Sequence, residues 1–206
     1  MNHKTTSLRT LASHPFPAQF AHSRQGRRIG HALRALEAQL VASDQGSILL
    51  LVEQELMQDI AMIAIERFLR YTQCQRVLLL VSPKLQTKMN EIWEHAVSWE
   101  DERTRTAQFS MTSMPQKAQE AQVCIATVFD IQVHIEVDSR QPFFNAFDAL
   151  VLYDVPTNPG PVWSQILVIF ATMDTRVIGL SSLLSEEEGE LLFERVIDAK
   201  GHQVIR

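Results

Sequence analysis

Cysteine is nearly absent: Cys74 and Cys124 are the only two in 206 residues. Cys74 stands just before an apolar strand-like run and Cys124 inside one. Both read as reduced thiols, which excludes a disulfide scaffold and leads to the expectation of a reducing cytoplasm. Neither has a Cys or His at zinc spacing, so no metal site is expected. No apolar run reaches the roughly 18 residues needed to cross a bilayer, so no membrane role is expected. A G-x-S-x-G nucleophile elbow is missing too. Ser181, His134 and Asp154 supply the residue types of a hydrolytic triad without its spacing.

Acidic residues are missing from the first 36 positions, which hold Lys4, Arg9, Arg24, Arg27, Arg28 and Arg34. That stretch has a formal charge of +6. The rest keeps 13 basic and 24 acidic residues, a charge of −11, within a total of −5. The pattern is a basic arm on an acidic body. Residues 1–23, with Pro15, Pro17 and no periodicity, read as a flexible arm; an organelle transit peptide is the alternative.

What is present is a 46% hydrophobic composition with strand and helix signals in alternation. Ile29, Leu33, Leu36, Leu40 and Val41 follow the spacing of an amphipathic helix over 24–43. Its arginines oppose the helix dipole, and they read either as a solvated face or as a contact for phosphates or an acidic protein. Strands are expected at 48–52, 76–81, 106–111, 123–126, 147–153 and 175–180, with an edge strand at 203–205. Helices are expected from about 57 to 70, from Pro83 to 98, at 115–121, from 127 to 136 and at 162–171. A last helix, opened by a Ser185/Glu188 capping box, is expected to run to about 199 and stop before Gly201. This alternation predicts an α/β fold in residues 24–206, read as one domain. It is a three-layer, mainly parallel sheet of six or seven strands with helices on both faces.

Five segments carry a resemblance, in order: ILLLV with AMIAIERFLR, RVLLLVSPKLQTKMNEIW, VCIATVFDI, FDALVLYDVP and RVIGLSSLLSEEE. They resemble motifs I, Ia, Ib, II and III of the first RecA-like domain of superfamily 2 helicases. The nearest type is the DEAD/DEAH-type motor of type I and type III restriction subunits, over roughly residues 24–195. The resemblance implies a P-loop NTPase topology with an ATP site between the first strand and its helix. It also implies nucleic-acid contacts near Lys84 and Thr127. A helicase of this kind uses two such domains, and the expectation here is one.

The motif I stretch, Glu53-Gln54-Glu55-Leu56-Met57-Gln58-Asp59, has no glycine to close on phosphates. It also has no lysine for their charge and no hydroxyl for Mg²⁺. Each carboxylate there would repel a polyphosphate by on the order of 1 kcal/mol. In the motif II stretch, Asp154 stands at the metal-binding aspartate, but Val155 replaces the glutamate that activates water, and Pro156 and Thr157 follow. Asp154 alone reads as a strand-end turn residue. The resulting expectation is a non-enzyme: a pseudo-ATPase with no cofactor and no metal. It would act as a scaffold or regulatory subunit linked to nucleic-acid processing. Its partner would be another protein or a second copy, with Val155 and Trp163 as candidate contacts. The alternative is an ATP-independent nucleic-acid-binding module using Arg24, Arg27, Arg28, Arg34, Lys84 and Thr127. A remote alternative is an ATPase with an unusual site.

Overall fold

The computed structural model describes residues 23–42, 46–71, 74–97, 106–108, 121–137, 146–172 and 175–199. In chain order the elements begin with α1 (Arg24–Ala42), β1 (Ser47–Leu51), α2 (Gln54–Tyr71), β2 (Val77–Val81) and α3 (Pro83–Val97). Next come β3 (Thr106–Gln108), β4 (Val123–Thr127), α4 (Val128–Val137) and β5 (Ala149–Tyr153). The last are α5 (Pro161–Thr172), β6 (Arg176–Ser181), α6 (Glu186–Glu190) and β7 (Arg195–Asp198). The expected arm up to residue 22, the continuation of β3 at 109–111, most of the helix at 115–121 and the edge strand at 203–205 lie outside the described residues.

The chain divides into two units: Met1–Cys74, Asp154–Thr157 and Ile178–Arg206 form the first, Gln75–Tyr153 and Asn158–Val177 the second. Among the described residues, seven strands carry the fold. In the second unit they run in the order β3-β4-β2-β5, and the first unit has β6-β1-β7, with most of β6 belonging to it. β2 is parallel to both neighbours, Val77 lying opposite Val123 on one side and Ala149 on the other. β1 runs parallel to β7, from Ile48 opposite Arg195 to Leu51 opposite Asp198. Parallel neighbours require a crossover, and the intervening helices supply it. Every residue of β2, β4 and β5 is buried, so these apolar runs are covered on both faces. The α/β expectation of six or seven mainly parallel strands therefore holds. Among the described residues, no helix is long and apolar enough to cross a membrane.

In the first unit, α1 packs on α2. The predicted stripe Ile29, Leu33, Leu36 and Leu40 is buried, facing a helix that buries Met57, Ile60, Ala61, Ile65 and Phe68. An ion pair lies inside this contact. Arg67 donates from Nε to Glu37 Oε1 at 2.6 Å and from Nη2 to Glu37 Oε2 at 3.4 Å. The two side chains are 5% and 8% exposed. Burial pushes the Glu37 carboxyl above its ordinary range, and Arg67 pulls against that shift.

Two boundaries differ from expectation. α2 starts at Gln54, three residues before the expected Met57. Gln, Glu, Leu and Met are good helix formers, and no glycine or proline holds them open as a loop. The last helix ends at Glu190, although its Ser185/Glu188 capping box is present. The backbone N–H groups of Leu192 and Phe193 both donate to Gly189 O, which closes the turn. The chain then extends, and the β-branched Val196 and Ile197 pair with β1. Phe193, Val196 and Ile197 suit a helical stripe as well as a strand, so spacing alone could not separate the two.

Candidate functional site

The junction between β1 and α2 lies wholly within the first unit. Only Val52 and Glu53 separate strand from helix. The motif I stretch from Gln54 to Asp59, expected to stay non-helical as far as Leu56, is therefore the opening of α2. Leu56 N–H donates to Glu53 O at 3.0 Å, and Leu56 and Met57 turn inward, 2% and 0% exposed. Outward, Arg28 of α1 reaches across to the junction. Its Nη2 pairs with Glu53 Oε1, and its Nη1 lies 3.6 Å from Glu55 Oε1. Gln25 donates to Asp59 Oδ2 at 3.5 Å. Ser182 Oγ donates to Gln54 Oε1 at 2.6 Å. The polar side of the junction is thus a guanidinium clasped by two carboxylates and bordered by amide contacts.

Behind the clasp, Val52 N–H donates to Ser181 O and Val155 N–H to Leu180 O, both at 2.9 Å. Ser181, fully buried at the end of β6, donates its hydroxyl to Val155 O at 2.9 Å. It also accepts from the backbone N–H groups of Leu183 and Leu184, each at 3.2 Å. One hydroxyl thus ties the segment after β5 to the turn after β6. Nothing in the sequence singled Ser181 out for this work.

Asp154 follows β5 with φ +61°, the left-handed region. Asp is among the few residues other than glycine that tolerate it. Its Oδ1 is buried with no hydrogen-bond partner, as is Glu53 Oε2. Burial raises the carboxyl of Asp154, and that of Asp59, above the ordinary range. A carboxyl raised in the folded state lowers stability as pH climbs past its unfolded value. Asp154→Asn keeps a residue suited to φ > 0 and removes the charge. Because the side chain is only partly buried, solvent screening limits the expected gain to about 1 kcal/mol or less near neutral pH. The gain should vanish below the ordinary carboxylate range. Urea denaturation of the two proteins at both pH values checks this. Among the described residues, no cluster of His, Cys, Asp and Glu is placed to hold a metal.

The other candidates are spread out. Arg24, Arg27 and Arg34 are exposed along α1, whereas Arg28 is committed to the clasp. Lys84 is exposed at the start of α3 in the second unit. Thr127 is buried in that unit: its hydroxyl donates to Asp130 Oδ2 at 2.8 Å and accepts from Asp130 N–H at 3.2 Å. That is a cap opening α4 rather than a hydroxyl offered outward. Val155 is 1% exposed and so is not a surface contact; Trp163 is half-buried. Sequence reading missed the clasp. Its one visible sign was a stretch without acidic residues up to position 36, followed by an acid-rich junction.

No protein-family model matches the chain, and no curated protein matches it in sequence. Solved structures do. The UvsW helicase from bacteriophage T4 superposes with a TM-score of 0.58 at 13% identity, covering 86% of this chain and 59% of that one. The Pyrococcus furiosus Hef helicase domain gives 0.58 at 15% identity, covering 88% and 38%. The helicase MrfA gives 0.58 at 13% identity, covering 96% and 32%. This chain therefore spans less than two thirds of each of them. At such identities the likeness establishes the architecture alone: a RecA-like α/β fold, as in these helicase structures.

Proposed function

We propose that this chain is a helicase-like domain without nucleotide-driven catalysis, a scaffold or regulatory subunit in nucleic-acid processing. Its partner is another protein or a second copy of itself. The observation that carries this reading is the β1–α2 junction. A phosphate-binding loop needs several consecutive backbone N–H groups turned toward an anion, together with a cation to balance it. Two residues connect strand to helix here, and Leu56 and Met57 fill the space behind them. The cation present, Arg28, is already neutralised by Glu53 and Glu55. An incoming polyphosphate would displace that guanidinium or face the two carboxylates directly, and both courses oppose binding.

Isothermal titration of the full chain with ATP and Mg²⁺ tests this. No saturable heat is expected into the millimolar range. A micromolar dissociation constant would overturn the reading.

A further inference from the structure

Among the described helices, α5 alone has no charged side chain; it reads PVWSQILVIFAT. Ile166 and Phe170, four residues apart, are fully buried and set its inner face. Pro161, Ser164, Gln165 and Val168 are exposed at helical spacings of three and four, and they make its outer face. Val168 is 62% exposed. α5 lies against α4, whose Phe129 is also 62% exposed. Among the described residues of the second unit, these are the two large apolar side chains that stand mainly in water.

An outward helix face ordinarily carries Lys, Arg, Asp or Glu. Every other described helix has such residues, in a chain that is 21% charged. The outer stripe of α5 instead joins an aliphatic side chain to a hydroxyl and a neutral amide. Depletion of charge is what marks the core of a protein interface.

We infer that the outer face of α5, with Phe129 of the adjoining α4, docks on the same face of a second copy of this chain. Two features select a copy over a different protein. A two-fold contact brings a surface against itself, so the surface must be self-complementary. Val168 meets that condition through apolar contact, and Gln165 through an amide that both donates and accepts. The other feature is charge. At a net charge of −5, two copies repel, and like charges set opposite one another oppose docking. The outer face of α5 lets two copies touch with no charge opposed, and it offers a strongly acidic or basic partner no complement. The helix is about 18 Å long and about 10 Å wide, so the contact buries on the order of 300 Å² per copy. Stable complexes bury about 800 Å² per partner, so this dimer is weak and depends on concentration. The inference rests on the scaffold reading above and deepens it by choosing the partner. ATP titration judges the β1–α2 junction whatever the oligomeric state, so the two fail separately.

Analytical ultracentrifugation of the full chain from micromolar to millimolar concentration tests this. The mass should rise from that of one chain toward that of two. Val168→Lys and Val168→Glu each set like charges across the contact, and each should weaken association about tenfold or more. Mixed in equal amounts, the two variants present opposite charges and should regain it. Ser164→Glu, also at an exposed position, should repeat the loss and covers the case of a Val168 variant that folds poorly. Leu191→Lys, at an 86% exposed position in the first unit, should associate like the parent. A parent that stays monomeric at every concentration would overturn the inference and leave the face to a different protein. Folded Val168→Lys and Ser164→Glu variants that associate normally would overturn it too. So would an equal loss in Leu191→Lys, or a mixture that associates no better than either Val168 variant alone.

Discussion

Arg67→Met is expected to destabilise the protein by about 3–5 kcal/mol, because it strips the cation from a buried carboxylate and supplies nothing in return. Arg67 and Glu37 sit between α1 and α2 with almost no solvent contact. Burial already raises the Glu37 carboxyl, and Arg67 is its chief opposing influence, with Arg34 a lesser one. Without Arg67 that carboxyl rises further. A group that holds its proton more tightly in the folded than in the unfolded state lowers stability as pH rises. The loss in Arg67→Met should therefore be greatest at neutral pH and shrink toward the ordinary carboxylate range. Glu37→Gln/Arg67→Met removes both charges and should recover much of the loss. The gap between the two variants should open as pH climbs. Urea midpoints at three pH values suffice. Equal stability of the single and double variants at neutral pH would show that Glu37 reaches water without Arg67.

Ser181→Ala should follow at about 2–4 kcal/mol. Its hydroxyl serves three backbone groups, Val155 O and the N–H groups of Leu183 and Leu184, at a fully buried position. Removal leaves two donors and an acceptor without that partner, each worth about 1–3 kcal/mol before the backbone relaxes. Ser182→Ala, one residue on and partly exposed, is the control and should stay below about 1 kcal/mol. Amide hydrogen exchange at Leu183 and Leu184 reports the same event locally. Both should lose protection in Ser181→Ala before the rest of the first unit does.

The frame was largely legible from the chain because its strands are short apolar runs with clear punctuation. Val77–Val81, Val123–Thr127 and Ala149–Tyr153 sit where the hydrophobic pattern put them. The stripe of α1 was legible for the same reason. Contacts between residues far apart in sequence were not. Nothing local says that Arg28 reaches Glu53, or that Glu37 turns inward while the arginines beside it turn out. The tail misled because Phe193, Val196 and Ile197 satisfy two periodicities at once, and only pairing with β1 decides between them. Asp154 follows β5 with a left-handed backbone that no local pattern announced, beside Val155 as held by Leu180 and Ser181.

The pairing of β1 with β7 bears on how the molecule is made. Residues 48–51 find their neighbours at 195–198, nearly 150 positions later. On the ribosome the early half of the first unit must wait, its strand edge open, until almost all of the described chain has emerged. The strands of the second unit close among residues 77–153 and need no such delay. Contacts so distant along the chain slow folding and prolong the exposure of sticky edges. The Ile48-to-Leu51 segment is therefore where a nascent chain would most need a chaperone's protection.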